Sequence, residues 1–283
     1  MKTSVALIAW NELQSIDLCL KALKGYADEV VIADTGSFDG TIGKAQQWLD
    51  CLDLPGEVFS VTVQTLGQAR RAAIEKCTHP WLLLIDANLI LSEGLKQELK
   101  QATENGRSGM VRSLCLMGDY EHYFTPLQFH SPHNVLFHRN KIQWLPDKDD
   151  WPLPVSGRIL LNNWAVSLSR VRPAWRIWLR GEPFKPETGR EWRTPENRQL
   201  QWQYSGGHHT SLLEYVEAEE GLTLEDMKRV APGWFLDLLQ RYAAPLKESH
   251  RQGMPEVIRE EQRDPRYRLV YEGDEIVGRW PEL

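Results

Sequence analysis

Three short stretches place acids or amides directly after an apolar run: Trp10-Asn11-Glu12, Asp34-Thr35-Gly36-Ser37 and Asp86-Ala87-Asn88. A lone carboxylate ending a buried strand carries a desolvation cost that needs a partner to offset it. Acids and amides gathered on one rim suit a ligand offering hydroxyls, a base edge, or a metal bridging to phosphate. Asp34 also opens a small-residue turn whose Ser37 it could simply cap. Asp39 reads mainly as the cap of the next helix. No GxGxxG follows the first apolar run and there is no Walker phosphate loop, which weighs against a dinucleotide fold.

The elements that would hold these residues repeat in a regular order. Residues 4–10 form an apolar run suited to a strand buried on both faces, and Asn11 can cap the helix after it. Strands then follow at 29–34, 57–63 and 81–86, with helices at 39–49, 66–77 and from Ser92 to about 103. Four β–α units in a row predict a parallel sheet with right-handed crossovers. In such a sheet the carboxyl ends of the strands share one crevice, so the three stretches come to a common rim. The second half differs: strands at 109–117, 134–138 and 142–145, an irregular Pro/Trp/Arg-rich stretch at 146–195, helices at 211–220 and 223–243, and a hairpin within 267–280.

Composition narrows the class. The formal charge of −6 argues against wholesale nucleic-acid binding while leaving room for a local basic patch. Cys19, Cys51, Cys77 and Cys115 are far apart and lack zinc spacing, so they read as buried free thiols. No apolar run approaches the roughly 18 residues of a membrane span. A soluble, cytoplasmic protein with no transmembrane segment is expected.

In order and spacing, Leu7-Ile8-Ala9-Trp10-Asn11-Glu12, Asp28 through Thr41, Gln68-Ala69-Arg70-Arg71-Ala72-Ala73 and Trp81 through Asn88 resemble family 2 glycosyltransferases of the GT-A fold. Within that family the likeness is to the group containing lipopolysaccharide-core glucosyltransferases, and it covers roughly residues 3–105. The resemblance implies an α/β, Rossmann-like, mostly parallel sheet flanked by helices, with a C-terminal helical and hairpin extension. It divides the chain into a nucleotide-sugar-binding and catalytic core, 1–145, and an acceptor-side region, 146–283. It also implies a nucleotide-diphosphate sugar donor, most commonly a UDP-sugar, and Mn²⁺ or Mg²⁺. Asn11, Glu12, Asp34, Arg70 and Asp86 match the family's donor-binding positions, with Arg71 competing for the role of Arg70.

Asp86-Ala87-Asn88 occupies the place of the family's DxD motif, whose last acid is normally the direct metal ligand. Here that residue is Asn88, which brings an amide oxygen but no charge and should lower cation affinity. His208, in Gly206-Gly207-His208-His209, resembles a late histidine that reaches the diphosphate or metal; a helix-capping surface pair is the alternative. The expected metal ligands are therefore Asp86, Asn88 and His208. An inverting transferase needs a base for the acceptor hydroxyl, and Asp149 and Asp150 are the candidates, with Asp147 behind them and a solvated acidic loop as the plainer alternative.

The expected activity is transfer of a hexose to an acceptor hydroxyl, with inversion. The acceptor would be a glycan or glycolipid. The Arg/Trp-interleaved segment from Ser169 to Arg180 also keeps open hydroxymethylated phage DNA, and reads alternatively as core tryptophan with a solvated arginine face. Asn88 in the DxD place keeps open a catalytically degenerate sugar-nucleotide-binding module.

Overall fold

The computed structural model describes residues 1–63, 65–117, 120–123, 133–145, 148–155, 157–171, 244–263, 271–272 and 275–276. These fall into two compact units, Met1–Leu114 with Ser131–Ser167 and Gln252–Arg259, and Cys115–His130 with Leu168–Arg251 and Glu260–Leu283.

The first unit opens with the expected alternation: β1 (Thr3–Ala9), α1 (Ile16–Leu23), β2 (Glu29–Asp34), α2 (Thr41–Leu52), β3 (Gly56–Ser60), α3 (Leu66–Lys76) and β4 (Trp81–Asp86). β1 is buried along its whole length, as a strand covered by helices on both faces must be. It pairs in parallel with β2 on one side and β4 on the other, and β2 pairs in parallel with β3. The short β5 (Leu89–Leu91) and α4 (Glu93–Glu104) follow, with Ser92 capping α4 through the Leu95 N–H at 3.2 Å. β6 (Ser108–Met117) and β8 (His133–His138) extend the sheet antiparallel, β8 lying against β4. The mostly parallel, helix-flanked sheet is thus what the chain forms.

Two local expectations need correction. Asn11 does not cap α1, which starts at Ile16; Asn11 instead takes φ 52°, a left-handed conformation that asparagine tolerates better than most residues. The stretch 146–195 is not irregular throughout. It contains β10 (Lys148–Pro154), antiparallel to β9 (Ile142–Leu145), and the thirteen-residue β11 (Arg158–Arg170). β11 pairs through Ala165, Val166 and Ser167 with β5. Asn162-Asn163 interrupts its apolar pattern and hides a long strand from a periodicity reading.

Core packing follows the face alternation of the strands. Ala6, Ile8, Val31, Ala33, Leu82 and Leu84 meet Ala69, Ala73, Ile74 and Cys77 of α3 and its cap. Burial pushes the Cys77 thiol up to about 12. Cys19 is buried as expected, but Cys51 is exposed and Cys115 half-buried; all four are free.

The second unit holds β7 (His122–Tyr123), which pairs with Leu116 of β6 and with β12 (Ala244–Pro245). Tyr123 packs edge-on against His250 of α5 (Glu248–Gln252) at 5.0 Å between ring centroids. β13 (Tyr271–Glu272) and β14 (Glu275–Ile276) form the expected terminal hairpin. The helices expected at 211–220 and 223–243 lie outside the described residues, as does most of the Arg/Trp segment.

Candidate functional site

Strand register decides what reaches the rim. Asp34 stands beside Ala9, and Asp86 stands beside Ile8. Successive side chains of a strand point to opposite faces, so the two carboxylates leave the sheet on opposite sides of its carboxyl edge. Asp86 shares the α3 face with Leu82 and Leu84. Asp34 belongs to the other face.

Asp34 is 1% exposed and lies beneath its own turn. Its Oδ2 accepts from the N–H groups of Gly36 (3.0 Å) and Ser37 (2.9 Å), and its Oδ1 accepts from the Ser37 hydroxyl. A carboxylate offers about four acceptor sites, so roughly one remains for a ligand. Gly36 permits the turn because its φ of 101° is hostile to any side chain. Ser37 Oγ in turn accepts from the Asn11 N–H at 2.8 Å, while the Asn11 side-chain oxygen accepts from the Phe38 N–H at 3.0 Å.

Asp39 performs the same service one turn later. It accepts from the Thr41 N–H (3.1 Å) and hydroxyl at the start of α2, and from the Leu13 N–H at 3.3 Å. Thr41 Oγ1 accepts from the Glu12 N–H at 2.8 Å. The β1–α1 and β2–α2 loops are therefore one knitted layer over the sheet edge. Ser37 and Thr41, the hydroxyls that knit it, were not singled out as site residues from the sequence. Their spacing from Asp34 and Asp39 is the pattern of local side-chain-to-backbone turns and was the available signal.

On the other face, the buried Arg70 of α3 pairs its guanidinium with Asp86 Oδ1 at 3.2 Å. The Asp86 side chain is 42% exposed, far more open than Glu12 or Asp34. Arg71, its competitor in sequence, instead lies over the Trp144 ring at 4.7 Å. Glu12 and Asn88 link the segments that follow β1 and β4. Asn88 donates its amide to Glu12 Oε1 at 3.1 Å, and Ser15 donates its hydroxyl to Glu12 Oε2 at 2.6 Å. Both Glu12 (2% exposed) and Asn88 (4%) are buried.

Asp149 and Asp150 lie on β10, inside a register shift between Lys148 and Leu153. β10 packs on α3, the helix that carries Arg70. Asp147 and His208 lie outside the described residues. A cavity of about 360 Å³ lined by Met1, Thr3, Tyr26, Asp28 and Lys100 sits at the amino end of β1 and contains none of the candidate residues.

The implied Mn²⁺ or Mg²⁺ finds a poor donor set here. Asp86 already has a guanidinium on one oxygen, and a second cation on that carboxylate would stand within a few ångströms of a like charge. Asn88 gives its amide N–H to Glu12, and the Oδ1 it would offer a cation carries no charge. Among the described residues no group of three His, Cys, Asp or Glu side chains is placed to hold a metal ion. Asp86 and Asn88 by themselves do not fit an acid-chelated divalent cation, and His208, the third expected ligand, lies outside the described residues.

A family model described as glycosyl transferase family 2 matches residues 4–154. The lipopolysaccharide core biosynthesis glycosyltransferase LpsC of Rhizobium meliloti (strain 1021) is 31% identical over 98 residues, 35% of this chain and 36% of that protein. This chain thus spans about a third of the length of that relative. Among solved structures, S. aureus TarS gives a TM-score of 0.44 at 16% identity over 59% of this chain and 36% of that one. The mannosyltransferase PcManGT from Pyrobaculum calidifontis, in complex with GDP-Man and Mn²⁺, gives 0.34 at 20% identity over 41% and 35%.

Proposed function

Since this chain belongs to glycosyl transferase family 2, we propose that it moves a hexose from a nucleotide-diphosphate sugar to an acceptor hydroxyl, with inversion. The observation that carries the reading is the rim itself: parallel register brings Asn11-Glu12, Asp34 and Asp86 to one edge, with the buried Arg70 beside it. Carboxylates and amides there suit ribose hydroxyls and a base edge. Arg70, a permanent cation buried beside that edge, suits the diphosphate. A UDP-sugar is the donor we favour, after the family's commonest choice.

In this reading Asp149 or Asp150 takes the proton from the acceptor hydroxyl. The acceptor oxygen attacks the anomeric carbon from the side opposite the diphosphate, and the bond to the diphosphate breaks with its electron pair leaving on phosphate oxygen. Residues 1–145 bind the donor, and 146–283 present a glycan or glycolipid acceptor. The four free thiols fit a reducing compartment, and a cytoplasmic location is part of the reading. No described helix is long and apolar enough to cross a membrane.

Calorimetric titration with UDP and a panel of nucleotide sugars tests donor binding, and a coupled release assay tests transfer. Asp149→Asn and Asp150→Asn should identify the base: one of them loses transfer by at least about a hundredfold while still binding UDP. No heat with any donor would end the proposal. The place of Asn88 favours one other reading, a sugar-nucleotide-binding module without catalysis. Measured transfer removes it.

A further inference from the structure

We propose that the hydrogen bond from Asn88 to Glu12 takes the place of a metal-bridged acid pair, so that this rim binds a nucleotide diphosphate without a divalent cation. The inference rests on the donor-binding reading above. Its starting point is a chemical constraint: a carboxylate only accepts hydrogen bonds, so the amide at position 88 must present its N–H group to Glu12 Oε1. The second Glu12 oxygen is occupied by the Ser15 hydroxyl. Glu12 thus has a donor from within the fold on each oxygen, and its burial is offset without a cation.

An aspartate at position 88 would reverse this. Two carboxylates in contact at a buried site cannot both stay ionised unless a proton or a cation lies between them. A bridging metal would be the natural solution, and its charge would then be available to a bound diphosphate. With asparagine the bridge is an amide proton, and nothing at Glu12 calls for a metal. The one acid of the motif, Asp86, is likewise matched from within the fold, since it accepts from Arg70. The permanent guanidinium supplies the positive charge for phosphate. Glu12 and Asp86 are therefore each matched by an organic donor, one neutral and one cationic.

The test has a nucleotide arm and a metal arm. In the first, UDP is titrated into the wild-type protein in EDTA and again in saturating Mn²⁺. The expected change in affinity is less than about twofold; a gain of about tenfold or more with Mn²⁺ overturns the proposal. In the second, Mn²⁺ alone is titrated into wild type and Asn88→Asp, followed by the electron paramagnetic resonance signal of free Mn²⁺ and by thermal melting. N88D should bind Mn²⁺ about tenfold tighter or more, and gain melting temperature with it, while wild type does neither. Equal Mn²⁺ binding by the two proteins overturns the proposal. If N88D does not fold, the wild-type titrations with Mn²⁺ and UDP still decide it. If wild type binds no UDP in either buffer, the donor-binding reading has failed, and the metal arm judges the Glu12–Asn88 pair independently.

Discussion

Replacing Asp34 should separate two roles that one carboxylate could hold, building its loop and meeting the donor. In Asp34→Ala the N–H groups of Gly36 and Ser37 and the Ser37 hydroxyl lose their acceptor. A hydrogen bond to a charged group contributes about 1.5–3 kcal/mol, but Gly36 is exposed and Ser37 half-buried, so water recovers much of the loss. Because Ser37 also receives the Asn11 N–H, loosening it frees the β1–α1 loop as well. A net cost of about 2–3 kcal/mol follows, or a fall of roughly 4–12 °C in Tm. Asp34→Asn differs: its oxygen can still cap the two N–H groups, and its amide can donate to Ser37 Oγ, so the cost should be about 1 kcal/mol or less. Urea denaturation measures stability, and calorimetry with UDP measures donor contact. If the charge meets the donor, both variants lose about tenfold or more in UDP affinity, or about 1.4 kcal/mol. D34A as stable as wild type would refute the loop reasoning. D34N binding UDP like wild type would reduce Asp34 to a turn cap.

Two further outcomes concern the scaffold. A Cβ at Gly56 would lie 1.9 Å from the Val30 carbonyl oxygen, backbone against backbone, whereas one at Gly94 would meet only the movable end of Asn163 at 2.5 Å. Gly56→Ala should cost roughly 3 kcal/mol or more, and Gly94→Ala within about 1 kcal/mol of zero because helix propensity offsets the adjustment. Matched thermal melts of similar depth would contradict this. Acid sensitivity should trace partly to Glu29. Partial burial raises its pKa, but the Ser4 hydroxyl, the Thr78 N–H and hydroxyl, and nearby His79 outweigh that and leave it below the ordinary 4.5. A depressed folded value means the unfolded chain takes the proton first, so this stability is present above about pH 4.5 and is lost as pH falls through the folded value. The urea-midpoint gap between wild type and Glu29→Gln should shrink as pH drops from 6 toward 3; a constant gap would contradict the assignment.

Much of this molecule is written locally in its sequence. Apolar runs broken by helical periodicity announce β1 through β4, and four β–α units in succession leave a parallel sheet as the economical arrangement. That alone brings Asn11-Glu12, Asp34 and Asp86 to one edge, because parallel strands align their carboxyl ends. Strand register is not local. The one-residue offset that sets Asp34 beside Ala9 but Asp86 beside Ile8 sends the two acids to opposite faces, and no motif encodes it. Burial of Arg70 against Asp86, with Arg71 left to Trp144, likewise depends on which side of α3 meets the sheet. β11 is hidden in the sequence because its own apolar pattern is broken by two asparagines. Asn88 is the clearest instance. In sequence it is a missing carboxylate, while in the fold it is the donor that Glu12, 76 residues away, requires. Pairing over that distance is decided by packing, and packing belongs to the tertiary structure.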